Sequence, residues 1–175
     1  MQAQLDRAVP ELMELYQVPG VAIAIVDADG PVHMSCYGYT DESNSTRIQD
    51  TTDFEAASLG KPHFAYAILH YRAERPFDPS SPVAEYLRTP FVPEPEGGTI
   101  TGQYFLSHSS GLAFSETEGR QYLAFSPGSQ WQYSGLGFAL LQRAVEELWK
   151  ESLQELVYRT VIDPLEMEST SYLPP

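Results

Sequence analysis

Ser58-Leu59-Gly60-Lys61 places a hydroxyl and an amine three positions apart, so on a helix the two side chains share a face and can hydrogen-bond. A serine hydroxyl becomes a useful nucleophile when a neighbouring base takes its proton, and a desolvated lysine can serve. Bringing a lysine pKa from about 10.4 to about 7 costs roughly 4.6 kcal/mol, so such a site must be dry or crowded with cations. Lysine is scarce here, with only Lys61 and Lys150, and Lys61 falls in an apolar segment. On its own the motif also reads as a helix cap followed by a snorkelling lysine. A second group is Tyr133-Ser134-Gly135, after Pro127-Gly128-Ser129. A tyrosine or serine beside a lysine can relay the nucleophile's proton and later protonate a leaving group, although the same triplet reads as a turn with an aromatic anchor. His108-Ser109-Ser110-Gly111-Leu112 invites a serine–histidine reading. Adjacent residues rarely face each other, however, and glycine after two serines punctuates a turn, which favours a structural loop.

These residues need elements to hold them. Leu5, Ala8, Val9, Leu12 and Tyr16 have helical spacing and predict a helix over about 3–17, which Pro10 either kinks or starts. Two β-rich runs joined by Asp27-Ala28-Asp29-Gly30 predict a hairpin, followed by a polar loop. Leu59, Phe64, Ala67, Ile68 and Tyr71 predict a buried helix ending near Arg75-Pro76. Pro62 suits its first turn, which would aim backbone amides and the positive dipole end from Ser58 at a developing oxyanion. A proline-rich stretch (Pro76, Pro79, Pro82, Pro90, Pro93, Pro95) carries only short structure, and Thr101 is expected to cap a short helix through Leu106. Two further helical patterns run to a stop at Asp163-Pro164. Only two strands are convincing, and an isolated ribbon needs a helix or further strands against it.

At 175 residues, with 42% apolar content, the chain can supply a real core. Ten basic against 24 acidic residues give a formal net charge of −14, which disfavours nucleic acid and anionic membrane surfaces as partners. The acids are spread along the chain and read as a solvated surface. No apolar run approaches the roughly 20 residues of a membrane span. Cys36 is alone, which excludes an intrachain disulfide, and it reads as a small strand hydrophobe. No basic start followed by an apolar stretch opens the chain, so no signal peptide is expected within it; a cytoplasmic protein or the mature form of an exported one both fit. His63 and His70 lack acidic or cysteine partners at ligand spacing, and Asp27-Ala28-Asp29-Gly30 lacks the distal glutamate of a calcium loop, so no metal or other cofactor is expected.

Taken together, the three groups and their surroundings resemble the serine β-lactamase and penicillin-binding-protein superfamily, in the branch of class C β-lactamases, D-alanyl-D-alanine carboxypeptidases and related esterases. PGVAIAIVDADG is similar to its first strand and turn, and FEAASLGKPHFAYAIL to its nucleophile helix. RPFDPSSPVAEYL, ITGQYFLSHSSGL, PGSQWQYSGLGFALLQRAVE and VIDPLEMESTSY follow in the family's order. The resemblance implies an α+β, β-lactamase/transpeptidase-like fold: residues 1–57 as first helix and hairpin of a partial antiparallel sheet, and 58–175 as a mainly helical domain. It implies Ser58 as acylated nucleophile, Lys61 as its activating neighbour, and Tyr133 as second general base or acid, with Ser134 and Gly135 at the substrate. Gly135 stands where the commonest pattern has an asparagine that contacts the substrate amide, which argues against efficient penicillin or cephalosporin turnover. A Lys-Thr-Gly or His-x-Gly strand, which lines the family's cleft, does not occur, so the chain looks like the N-terminal part of such an enzyme. The implied activity is hydrolysis, through an acyl-enzyme, of a small ester, amide, D-amino-acid peptide or β-lactam. The alternative is a truncated or non-catalytic member that is inactive alone, or that covers its open sheet edge by homo-oligomerisation or strand exchange with another chain.

Overall fold

The computed structural model describes residues 1–41, 43, 45–89 and 96–172, so Pro90, Pro93, Pro95 and the final Leu173-Pro174-Pro175 lie outside the described residues. The fold mixes helices with two small antiparallel sheets, and the chain divides into two compact units, Met1–Glu55 and Ala56–Pro175.

In the first unit, helix α1 (Gln2–Tyr16) continues past Pro10 rather than starting there. Pro10 is exposed, so the carbonyl its ring deprives of a partner faces water instead of an apolar core. Strands β1 (Gly20–Asp27) and β2 (Gly30–Gly38) pair antiparallel, with a register shift at Ile25/Val26. Their turn forms because the Asp27 carboxylate accepts the Asp29 N–H at 2.8 Å. The helix that the ribbon requires is α1, tied to β2 where Tyr37 Oη donates to Asp6 Oδ1 at 2.9 Å. Cys36 is half-buried on β2 rather than fully enclosed.

The second unit holds the main core. Helix α2 (Gly60–Tyr71), entered through a 3₁₀ turn at Ala57–Leu59, buries Phe64, Ala67 and Ile68. It stops at Tyr71, short of the expected Arg75, because Arg75 precedes Pro76 and is disfavoured in helical backbone. The N–H groups of Glu74 and Arg75 instead both converge on the Tyr71 carbonyl at 2.9 Å. Helix α3 (Gly102–Leu106) follows Thr101 as predicted, but Thr101 makes no cap bond. The Pro79 carbonyl takes the Gln103 N–H at 2.8 Å, and Thr101 Oγ1 is buried with no hydrogen-bond partner among the described residues.

Two strands that the sequence does not announce follow: β3 (Leu112–Ser115) and β4 (Arg120–Leu123), paired from Leu112↔Leu123 to Ser115↔Arg120. Each has four residues, too few to show an alternating pattern, and their pairing is extended by the Ala124 N–H donating to the Gly111 carbonyl at 2.9 Å. Helix α4 (Gly135–Trp149) buries Phe138, Leu141, Ala144 and Val145 at helical spacing. Helix α5 (Leu153–Val157) starts from a capping box of Ser152 and Glu155 and runs into a π turn at Tyr158–Ile162, close to the predicted stop. Their apolar faces meet Ile68, Val83, Ile100 and Phe105 in one cluster.

Candidate functional site

Ser58 lies in the 3₁₀ turn and Lys61 in the first turn of α2, so the local chain alone brings them together: Lys61 Nζ donates to Ser58 Oγ at 2.8 Å. Ala57, immediately before the serine, has φ 44°, a left-handed conformation that a residue with a side chain adopts only when its surroundings impose it. Ser58 Oγ also shares a 2.5 Å hydrogen bond with Tyr133 Oη, 75 residues further along the chain. Ser58, Lys61 and Tyr133 therefore form one continuous hydrogen-bonded row, and both Ser58 and Tyr133 are open to solvent. In place of the dry or cation-crowded surroundings expected for Lys61, its Nζ lies 5.2 Å from the Tyr133 ring centre and 5.7 Å from that of Phe138, ring faces that attract a cation. Hydrogen bonding from Lys61 first, and then with Ser58, pulls the Tyr133 phenol below its ordinary pKa of 10.

Tyr133 reaches this place from the extended stretch before α4. Its neighbours on both sides are bound to one residue, His108: the Gln132 N–H donates to the His108 carbonyl at 2.8 Å, and the Ser134 N–H donates to His108 Nδ1 at 3.1 Å. The His108 ring stacks on the Tyr133 ring, with 4.5 Å between centres and 30° between planes, and lies 5.0 Å from Phe138. Burial, with the Lys61 cation adding to it, holds the imidazole below its ordinary pKa of 6.5. The predicted structural loop is present, and it turns where Gly111 has φ +73°. A Cβ there would fall 2.2 Å from the Phe125 carbonyl oxygen. The sequence gives no sign that His108 works on Tyr133, because the residues it contacts lie beyond its own motif.

The two other residues of the Tyr133 triplet are placed differently. Ser134 is the N-cap of α4: its hydroxyl accepts the Gly137 N–H at 3.1 Å and donates to the Leu112 carbonyl at 3.1 Å. Gly135 is exposed, a Cβ on it would meet nothing within 4 Å, and it borders a cavity of about 230 Å³ with Lys61, Phe64, Phe138, Leu153 and Tyr172. Next to the Ser58 turn, Tyr172 Oη donates to the Gly60 carbonyl at 2.8 Å and lies 3.0 Å from His63 Nδ1, and burial pushes its phenol up to about 12. His63 thus faces Tyr172, and His70 packs against Tyr66 and Tyr71. Among the described residues, no cluster of three or more His, Cys, Asp or Glu is arranged to hold a metal ion, and no helix is long and apolar enough to cross a membrane.

The chain has relatives among known proteins. The chain is 27% identical over 165 residues to the uncharacterized protein BpOF4_21049 of Alkalihalophilus pseudofirmus, an alignment covering 94% of this chain and 47% of that protein. The fold is similar to that of the D-alanine carboxypeptidase AmpC from Burkholderia cenocepacia, with TM-score 0.81 at 21% identity over 99% of this chain and 50% of that one. It is also similar to the octameric penicillin-binding protein homologue from Pyrococcus abyssi, with TM-score 0.78 at 22% identity over 94% of this chain and 43% of that one. The chain thus spans about half the length, or less, of these relatives. The family model Beta-lactamase matches residues 5–175, nearly the whole sequence, and the chain belongs to the beta-lactamase family.

Proposed function

We propose that this chain carries the acylation machinery of a serine hydrolase, with Ser58 as nucleophile, Lys61 as its activating neighbour and Tyr133 as proton shuttle. The observation that supports it most is the unbroken row of Lys61 Nζ, Ser58 Oγ and Tyr133 Oη, at 2.8 Å and 2.5 Å. In this reading Tyr133, when in its phenolate form beside Lys61, takes the Ser58 hydroxyl proton as Oγ bonds to the substrate's acyl carbon. The bond to the leaving group then breaks, the Tyr133 proton passes to the departing oxygen or nitrogen, and an ester to Ser58 remains. Water attacks that ester with Tyr133 as base, releasing the acid and restoring the serine. The direction of the Tyr133 shift suits this exchange, since lowering a phenol's pKa raises the share of phenolate that can act as base. The Ser58 N–H, in the 3₁₀ turn that leads into α2, would be the backbone donor for the developing oxyanion in this reading.

The substrates that fit are small acyl compounds. An ester is favoured over a β-lactam or D-amino-acid peptide, because Gly135 offers no side-chain amide to hold a substrate amide group. Intact-protein mass spectrometry after incubation with p-nitrophenyl acetate, and separately with benzylpenicillin, tests the reading. An adduct on Ser58 that disappears in Ser58→Ala supports it. Absence of any adduct from either reagent, with the protein folded, refutes it. A second reading, in which the sheet edge pairs with another copy of the chain, draws on the two-stranded β1–β2 ribbon. A strictly monomeric mass by light scattering across a concentration series would reject it.

A further inference from the structure

We infer that His108 is a positioning residue for Tyr133, one that sets where the phenol oxygen stands relative to Ser58 and Lys61. Three contacts from this one residue fall on three consecutive residues, with Tyr133 in the middle. The His108 carbonyl holds the Gln132 N–H at 2.8 Å, Nδ1 holds the Ser134 N–H at 3.1 Å, and the ring lies over the Tyr133 ring at 4.5 Å. A tyrosine on an extended, exposed stretch would otherwise be free to rotate about its backbone; here the peptide groups on both sides are fixed and the ring is backed. His108 itself is held in an uncommon conformation, with φ 54°, where a side chain is disfavoured. That conformation lets its carbonyl and its ring act on the same short stretch. Phe138 at 5.0 Å and Trp131 at 6.1 Å, edge-on, enclose the ring further.

The chemistry of the imidazole agrees with this role. Only the neutral ring protonated on Nε2 can accept at Nδ1, and protonation of Nδ1 would set two donors against each other. The titratable groups around the ring are the Lys61 ammonium from α2 and the Tyr133 phenol beneath it; the Lys61 cation and burial both favour the neutral form. His108 touches neither Ser58 Oγ nor Lys61 Nζ through any hydrogen bond described, so it acts through Tyr133.

This inference rests on the proposed role of Tyr133, but its decisive readout does not require catalysis. The ionisation of Tyr133 can be isolated as the ultraviolet difference titration between each protein and its Tyr133→Phe partner. In the parent the phenol should ionise below about 10, its ordinary value. In His108→Phe, which keeps an aromatic ring but removes the acceptor, the midpoint should return toward about 10. In His108→Asn, whose Oδ1 occupies the place of Nδ1 and which tolerates a positive φ, the lowered midpoint should be kept. Acylation of Ser58 by p-nitrophenyl acetate should fall on the order of 10-fold or more in His108→Phe, within the 10²–10⁴-fold that a positioned acid–base group contributes, and recover in His108→Asn. In a Tyr133→Phe background the same His108 substitutions should leave the acylation rate unchanged. His108→Gln, whose amide reaches past the Nδ1 position, is a second acceptor-deficient variant should the phenylalanine variant fail to fold. An ordinary Tyr133 midpoint in the parent, or a midpoint that does not move when the acceptor is lost, overturns the inference. A lowered midpoint that moves as described, without acylation by any ester, upholds the positioning role and refutes the hydrolase reading alone.

Discussion

Replacing Ser134 by alanine separates two roles that a serine beside Tyr133 could have. Its hydroxyl makes two bonds within the fold, accepting the Gly137 N–H and donating to the Leu112 carbonyl, each at 3.1 Å. Losing an N-cap of this type costs about 1 kcal/mol. The Leu112 carbonyl, on a residue only 4% exposed, loses its side-chain partner as well, which adds about 1–2 kcal/mol. The expected loss is therefore about 2–3 kcal/mol, or a fall in Tm of roughly 4–12 °C for a chain of this length. Urea unfolding followed by circular dichroism measures it. Ser134→Thr, which keeps both bonds, should lie within about 0.5 kcal/mol of the parent, the range of an uneventful substitution. Ser134→Asp, which can accept from Gly137 but has no proton for Leu112, should fall between the two. Below the melting range, the KM of Ser134→Ala for a small ester should match the parent's. A Ser134→Ala protein as stable as the parent but with a raised KM would refute the reasoning and make the hydroxyl a substrate contact.

Four further outcomes are expected. Tyr133→Phe and Lys61→Met should each lower the rate of Ser58 acylation by about 10²–10⁴-fold, measured by the p-nitrophenol burst, with near-native circular dichroism. Gly135→Ala should raise stability by about 0.5 kcal/mol in urea unfolding, because the new Cβ opens a helix in free space, with no atom within 4 Å. Tyr172→Phe should cost about 1 kcal/mol, since it removes the donor to the Gly60 carbonyl and retains the ring. The depressed pKa of His108 gives stability a pH dependence: below about 6.5 the unfolded chain binds the proton more readily, so stability falls as pH falls through the folded-state value. The urea midpoint of the parent should therefore drop more between about pH 7.5 and pH 5.5 than that of His108→Asn, which has no proton to bind there.

Contacts between near neighbours in the chain were the most legible. The spacing of Ser58 and Lys61 is enough to predict their hydrogen bond, because one helical turn joins them. The β1–β2 turn follows in the same way from Asp27 and its neighbours. The type of Tyr133 marks it as a candidate proton relay, but only the resemblance of whole segments ties it to Ser58, since no local rule links it to a serine 75 residues away. The sequence around His108 offers only the adjacent serines as partners, whereas its partner in the fold is the Ser134 N–H, 26 residues on. The β3–β4 pair escaped notice because four-residue strands carry little periodicity, and Thr101 failed as a cap because a proline-rich loop offers the Pro79 carbonyl to the same helix end. In each case a contact distant in sequence outweighed a weak local preference.

The span between Ser58 and Tyr133 also orders events during synthesis. Ser58 and Lys61 leave the ribosome early, whereas His108, Tyr133 and the first turn of α4 follow later, and closing so long a loop is entropically costly until the core around Phe105 and Leu141 can form. A nascent chain that ends before Tyr133 thus carries a serine and a lysine but lacks the phenol that completes the row. Under the proposed role of Ser58, its acylation would therefore report on the closing of the tertiary structure as well as on chemistry.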